Sequence, residues 1–115
     1  MGLPLRRHAA YRVGVDDEAG GGTGRVTMFV RGTVQGVGFR WWTRARALEL
    51  GVSGHARNTA DGRVEIVAQG SLVAVDALEA LLRESPSTTR RPGHVESVVV
   101  QPGVPRDGIS GFVER

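Results

Sequence analysis

The order of elements in this chain predicts an α+β fold, a ferredoxin-like sandwich with two helices on one face of an antiparallel sheet. Three observations carry that expectation. Apolar residues recur with period two in short runs, as half-buried strands require. Two other runs repeat at helical spacing. The elements follow one another as β-α-β-β-α-β, with a hairpin signal between the two middle strands.

Each element has its own justification. Val26, Met28, Val30, Gly32 and Val34 alternate as the first strand. A helix is expected from about Arg40 to Leu50, with Trp41, Ala45 and Leu48 as its apolar stripe and Gly51 as its stop. Arg44, Arg46 and Glu49 fall on its opposite face. Val52 to Asn58 reads as the second strand. Asp61-Gly62 is the hairpin turn, and Arg63 to Ala68 the third strand. Ser71 is a suitable N-cap for a helix over Leu72 to Glu84, which buries Val75, Leu78 and Leu82. Pro86 and Pro92 bracket a loop. His94 to Gln101 is the fourth strand, closed by Pro102, and Ile109 to Glu114 is a short extra strand.

Met1 to Gly24 stands apart. It combines Pro4, the acidic run Asp16-Asp17-Glu18 and the tract Gly20-Gly21-Gly22-Thr23-Gly24, and is expected to be a disordered, glycine-rich N-terminal extension. The domain proper is assigned to residues 25–115. The extension lacks the apolar centre of a signal peptide, and Arg6 breaks a myristoylation pattern.

Composition narrows the function. The chain has 115 residues, a length suited to one domain with a modest core. With no cysteine, disulfides and thiolate metal sites are excluded. No apolar run approaches a membrane span. Every basic residue other than histidine is arginine. The net charge of +3 lies wholly from Arg25 onward, where 12 Arg face 9 Asp plus Glu. That mild excess suits a small anionic substrate and falls short of a nucleic-acid-binding face. The aromatic-rich run of an RNA-recognition module is also missing. A cytoplasmic monomer, with neither membrane nor nucleic acid as partner, is the expectation.

Val34-Gln35-Gly36-Val37-Gly38-Phe39-Arg40 is the segment most suggestive of chemistry. It joins a strand to a helix through two glycines. Glycine permits a tight turn and close approach to a ligand. Successive N–H groups beside a helix N-terminus form a concave anion site. Arg40 adds a fork of donors matched to phosphate. A tight connection and nothing more is the plain alternative. The named nucleotide motifs do not fit, because Trp41 occupies the third-glycine position and no Gly-Lys-Ser follows.

Two segments together resemble the acylphosphatase family. The first is Val30-x-Gly32-x-Val34-Gln35-Gly36-Val37-x-Phe39-Arg40. The second is Gly54-His55-Ala56-Arg57-Asn58, then three residues, Gly62-x-Val64, five more, and Gly70. The resemblance covers about Arg25 to Arg115. His55 stands where the family usually has an aromatic residue, and the glycine-rich extension is not typical of the small single-domain members.

The resemblance implies hydrolysis of an acyl phosphate, a small-molecule substrate, to carboxylate and phosphate, with no cofactor and no metal. It places the substrate in the backbone of Gln35, Gly36, Val37, Gly38, Phe39 and Arg40, with the Arg40 guanidinium on the phosphoryl oxygens. Asn58 would aim the attacking water, so Arg40 and Asn58 are the catalytic pair. General chemistry agrees with this. A carboxylate leaving group, with a conjugate-acid pKa of roughly 4, departs without a proton donor. Phosphoryl transfer asks chiefly for positioning and charge stabilisation. An asparagine is no base at neutral pH and can only orient water.

Other residues attract weaker readings. His8, His55 and His94 are scattered without metal spacing. One of Trp41 and Trp42 is assigned to the core, leaving the other as a candidate substrate lid. Arg90-Arg91 reads as a solvated loop pair. Arg57 either adds field at the site or, by strand alternation, points the other way. A non-catalytic module of the same fold is the competing class, because fold alone does not fix function.

Overall fold

The computed structural model describes residues 13–15 and 22–115. Among the described residues eight elements run in order. They are β1 (Val13–Val15), β2 (Thr23–Thr33), α1 (Phe39–Leu50), β3 (Ser53–Asn58), β4 (Val64–Ser71), α2 (Leu72–Arg83), β5 (His94–Gly103) and β6 (Phe112–Glu114).

Alternation in β2 buries Val26, Met28 and Val30 completely. They join Ala56 of β3, Val64, Ile66 and Ala68 of β4, and Val75, Leu78 and Leu82 of α2 in one core with α1. Strand β2 pairs antiparallel with β5 from Arg25 to Thr33 and with β4 at Thr23 and Gly24. A register shift between Arg31 and Gly32 marks a bulge just before the glycine loop, a device that re-aims the chain at a sheet end. Strands β3 and β4 form the expected antiparallel hairpin. The α+β sandwich is therefore as the sequence indicates, with one difference. Strand β6 pairs parallel with β3, so the sheet is mixed at that edge.

The other boundaries move for identifiable reasons. Most of the extension expected to be disordered over 1–24 lies outside the described residues. Where it is described, Val13–Val15 pairs antiparallel with Arg25, Gly24 and Thr23, and Thr23 and Gly24 already belong to β2. The strand starts early because Thr23 and Gly24 find partners in Ser71 and Gly70. Strand β4 likewise runs on to Ser71. Strand β5 passes through Pro102, which pairs with Val26, and ends at Gly103.

The buried face of α1 is a clear correction. The stripe expected at Trp41, Ala45 and Leu48 is displaced, since Trp41 is 63% exposed and Leu48 is 46% exposed. Phe39, Trp42, Thr43 and Ala47 are buried instead. Thr43 is tolerated there because its hydroxyl donates to the Phe39 carbonyl oxygen at 2.9 Å. For α2, Ser71 caps as expected, its hydroxyl accepting from the Ala74 N–H at 3.1 Å. Its far end is closed by Arg91, which is no solvated bystander. The Arg91 guanidinium donates to the carbonyl oxygens of Leu81, Leu82 and Glu84 at 2.8, 3.0 and 2.9 Å, satisfying acceptors that a helix terminus leaves open.

Candidate active site

The loop after β2 takes its shape from two residues in the left-handed region, Gly36 at φ 74° and Gly38 at φ 87°. Space does not demand glycine there, since an added Cβ would meet nothing within 4 Å at either position. The backbone angle does, because that region costs a side-chain-bearing residue roughly 1–2 kcal/mol. Gly38 is the N-cap of α1 and contributes no capping side chain. The first helical bond runs from Trp42 N–H to the Gly38 carbonyl oxygen at 3.0 Å. The N–H groups of Phe39, Arg40 and Trp41 precede it and so have no intrahelical acceptor. With the positive end of the helix dipole, they favour an anion.

A small cavity of about 60 Å³ opens at this terminus, lined by Val34, Gly36, Gly38, Phe39, Arg40, Trp41 and Glu114. Of the six residues expected to hold substrate, Gly36, Gly38, Phe39 and Arg40 line it. The Phe39 side chain is in the core, so its backbone is what meets the cavity. Arg40 is steadied from the far end of the chain, its Nη1 donating to the backbone oxygen of Arg115. Arg115 is in turn fixed through its N–H to the Ala56 carbonyl oxygen at 2.8 Å.

Gln35 and Val37 do not line the cavity. Val37 is exposed, whereas Gln35 works from behind. Its Nε2 donates to the carbonyl oxygens of Thr59 and Arg63, both at 2.9 Å. This lashes the glycine loop to the β3–β4 hairpin, one residue beyond Asn58. Asn58 is also outside the cavity lining. It closes β3 opposite Val64, and its side-chain Oδ1 is buried with no hydrogen-bond partner in the protein. Such an atom is rare and calls for an explanation.

The hairpin is held by its own polar cluster. The Thr59 hydroxyl donates to the Asp61 carboxylate. Arg63 Nε approaches the same carboxylate at 2.9 Å and its guanidinium carbon lies 4.5 Å from the centre of the Phe29 ring. The Thr59 hydroxyl, then Arg63, holds the Asp61 carboxyl at about 2, below its ordinary 3.8. Arg57 points away from the buried Ala56 face and pairs with Glu65 at 2.8 Å. Its hydrogen bond, ahead of its charge, keeps the Glu65 carboxyl below the usual range. Among the described residues no group of three or more His, Asp or Glu is arranged to hold a metal ion.

Two further residues line the cavity beyond the expected substrate-binding set, Val34 at the end of the strand run and Glu114. Glu114 comes from a tail strand, and nothing local says that parallel pairing with β3 brings it to α1. Trp41, the exposed member of the tandem, lines the cavity, where the candidate lid would stand.

The family model described as Acylphosphatase matches residues 26–113. The chain belongs to the acylphosphatase family. An acylphosphatase of Corynebacterium glutamicum (strain R) is 55% identical over 91 residues, covering 79% of this chain and 96% of that protein. The crystal structure of the acylphosphatase from Bacillus subtilis superposes with a TM-score of 0.67 at 26% identity, over 79% of this chain and 97% of that one. An acylphosphatase from Coxiella burnetii gives a TM-score of 0.66 at 30% identity, over 81% and 93%. Both neighbours share the sandwich of two helices on a mixed sheet. No helix among the described residues is long and apolar enough to cross a membrane.

Proposed function

We propose that this chain hydrolyses acyl phosphates without a metal, using the loop from Gln35 to Arg40 as a phosphate cradle and Asn58 to position water. Membership of the acylphosphatase family supports the reaction class. The single observation carrying the site assignment is the convergence of three uncapped N–H groups, Arg40 and a small cavity at the start of α1. The phosphoryl group sits there, with the N–H groups and the guanidinium taking up charge as the bond to the carboxylate oxygen loosens. Water attacks phosphorus in line, its proton passes to a phosphoryl oxygen, and the P–O bond to the carboxylate breaks to give a protonated phosphate and a free carboxylate. The leaving carboxylate needs no proton. Gln35 ties the cradle to the hairpin that follows Asn58, through the carbonyl oxygens of Thr59 and Arg63. The Asn58 side-chain amide orients the attacking water by hydrogen bonding, the one role open to an asparagine at neutral pH. The substrate is a small molecule, and the chain acts as a cytoplasmic monomer.

The test is hydrolysis of benzoyl phosphate and p-nitrophenyl phosphate side by side, with EDTA present. Turnover of the first and poor turnover of the second are expected. Activity abolished by the chelator and restored by Mg²⁺ overturns the mechanism. Glu114, the one acidic residue lining the cavity among the described residues, supplies an internal check. Glu114→Gln should retain turnover, because no acid or base is required. Its loss would make Glu114 a proton-transfer group.

A further inference from the structure

The geometry points to a second binding site, for a small organic polyanion, on the sheet face opposite the helices. Residues that alternate with the buried set emerge there. Arg25 neighbours the core residue Val26, and His55 neighbours Ala56. Val67 lies between Ile66 and Ala68. The loop between β5 and β6 borders a half-open cavity of about 380 Å³ on this face.

Gln69, only 8% exposed, organises the cavity. Its Oε1 accepts from Arg25 Nη1 at 3.1 Å and from the Arg106 N–H at 2.9 Å, and its Nε2 donates to the Arg106 carbonyl oxygen at 2.7 Å. One buried amide thus fixes both the strand arginine and the loop that carries the next one. Arg25, Arg106, Arg115 and His55 all line the space, and among the described residues that line it none is Asp or Glu. Glu65, the acid that His55 Nε2 approaches at 3.5 Å, is already bound to Arg57 at 2.8 Å. Like charges gathered in a partly buried concavity repel one another. Burial and the neighbouring Arg106 disfavour the charged form of Arg25, and burial and then Arg115 disfavour that of His55. An anion relieves that repulsion, and guanidinium groups match carboxylate or phosphate oxygens in pairs. Val67, Ile109 and Val113 add apolar wall, so the ligand class is an organic anion with an apolar body and at least two negative charges. The two cavities share no lining residue, and they meet through Arg115, whose backbone oxygen accepts from Arg40.

Backbone amide shifts of the full chain titrated with phthalate test this. Saturable shifts at His55, Gly108 and Val113 are expected, with Gly36 to Gly38 unmoved, whereas inorganic phosphate should move Gly36 to Gly38. Arg106→Ala keeps the backbone bonds to Gln69. It should weaken phthalate binding by about tenfold or more, the worth of a charge-assisted hydrogen bond, and leave turnover of benzoyl phosphate unchanged. Arg90→Ala, which removes an equal charge elsewhere, should leave phthalate affinity intact. Non-saturating shifts, shifts confined to the cradle, or equal weakening by both variants would each overturn the assignment.

Discussion

Gln35 reaches across 24 residues of sequence to Thr59, its side-chain amide donating to the Thr59 carbonyl oxygen at 2.9 Å. That bond, with its twin to Arg63, makes the glycine loop and the Asn58 hairpin one rigid unit. Two residues assigned different roles in the reaction are thereby held in register by a third that does no chemistry.

Replacing Gln35 with leucine should therefore damage catalysis more than stability. The Thr59 and Arg63 carbonyl oxygens keep backbone donors, from Gly62 at 3.2 Å and Thr59 at 2.9 Å. The stability loss should be only about 1–2 kcal/mol. Turnover should fall further, by about tenfold to 10², because small misplacements of positioned groups are costly. Denaturant unfolding and steady-state kinetics on one preparation separate the two effects. Unchanged turnover would show that the lashing is dispensable.

Gly38→Ala isolates the role of backbone angle. With open space around the added methyl, the cost comes from forcing alanine to φ near 87°. About 1–2 kcal/mol of stability should be lost if the turn is kept. Gly38→Asn should recover part of it, since asparagine tolerates this region better. If alanine and asparagine cost the same, the cradle has relaxed out of its left-handed turn.

The sequence was most legible where one local rule governs. Alternation in β2, the Asp61-Gly62 turn and the Ser71 cap depend on near neighbours, and all three stand in the structure. The register of α1 was missed because two adjacent tryptophans fit either face. Thr43, which settles the choice, buries its hydroxyl through a bond that hydropathy does not reveal. Arg91 looked like a solvated charge because its acceptors lie at the end of the preceding helix. At the site, the glycine loop and Arg40 are written in consecutive residues. The contributions of Glu114 and Arg115 depend on a parallel strand pairing with no local signature.

Acid should loosen the hairpin that carries Asn58. The folded Asp61 carboxyl titrates at about 2, below its ordinary 3.8, because the native state bonds the ionised form to Thr59 and Arg63. A depressed carboxyl adds stability that is complete above its unfolded value and disappears as pH falls through its folded value. The contribution should be full above about pH 4 and gone near pH 2. Asp61→Asn should be less stable than the parent at pH 6, and the gap should close on acidification. Unfolding free energies measured at several pH values check this. A gap independent of pH would assign the effect to lost turn geometry instead.

Arg40 and Asn58 should fail in different ways. Arg40→Ala removes the side-chain cation lining the cradle, so phosphate binding and turnover should collapse together, turnover by roughly 10³ or more. Arg40→Lys should not restore activity, because a point charge cannot both grip phosphoryl oxygens and reach the Arg115 backbone oxygen that steadies the guanidinium. Asn58→Ala leaves every cradle N–H and Arg40 in place but deletes the buried Oδ1. Turnover should fall by about 10² or more, while inorganic phosphate should inhibit nearly as in the parent. That unpartnered oxygen also makes Asn58→Ala mild for stability, since no protein hydrogen bond to it is broken. Phosphate inhibition, turnover and thermal unfolding measured in parallel decide between the roles. If folded Asn58→Ala loses phosphate affinity as severely as Arg40→Ala, Asn58 is a phosphate ligand and its water-positioning role is wrong.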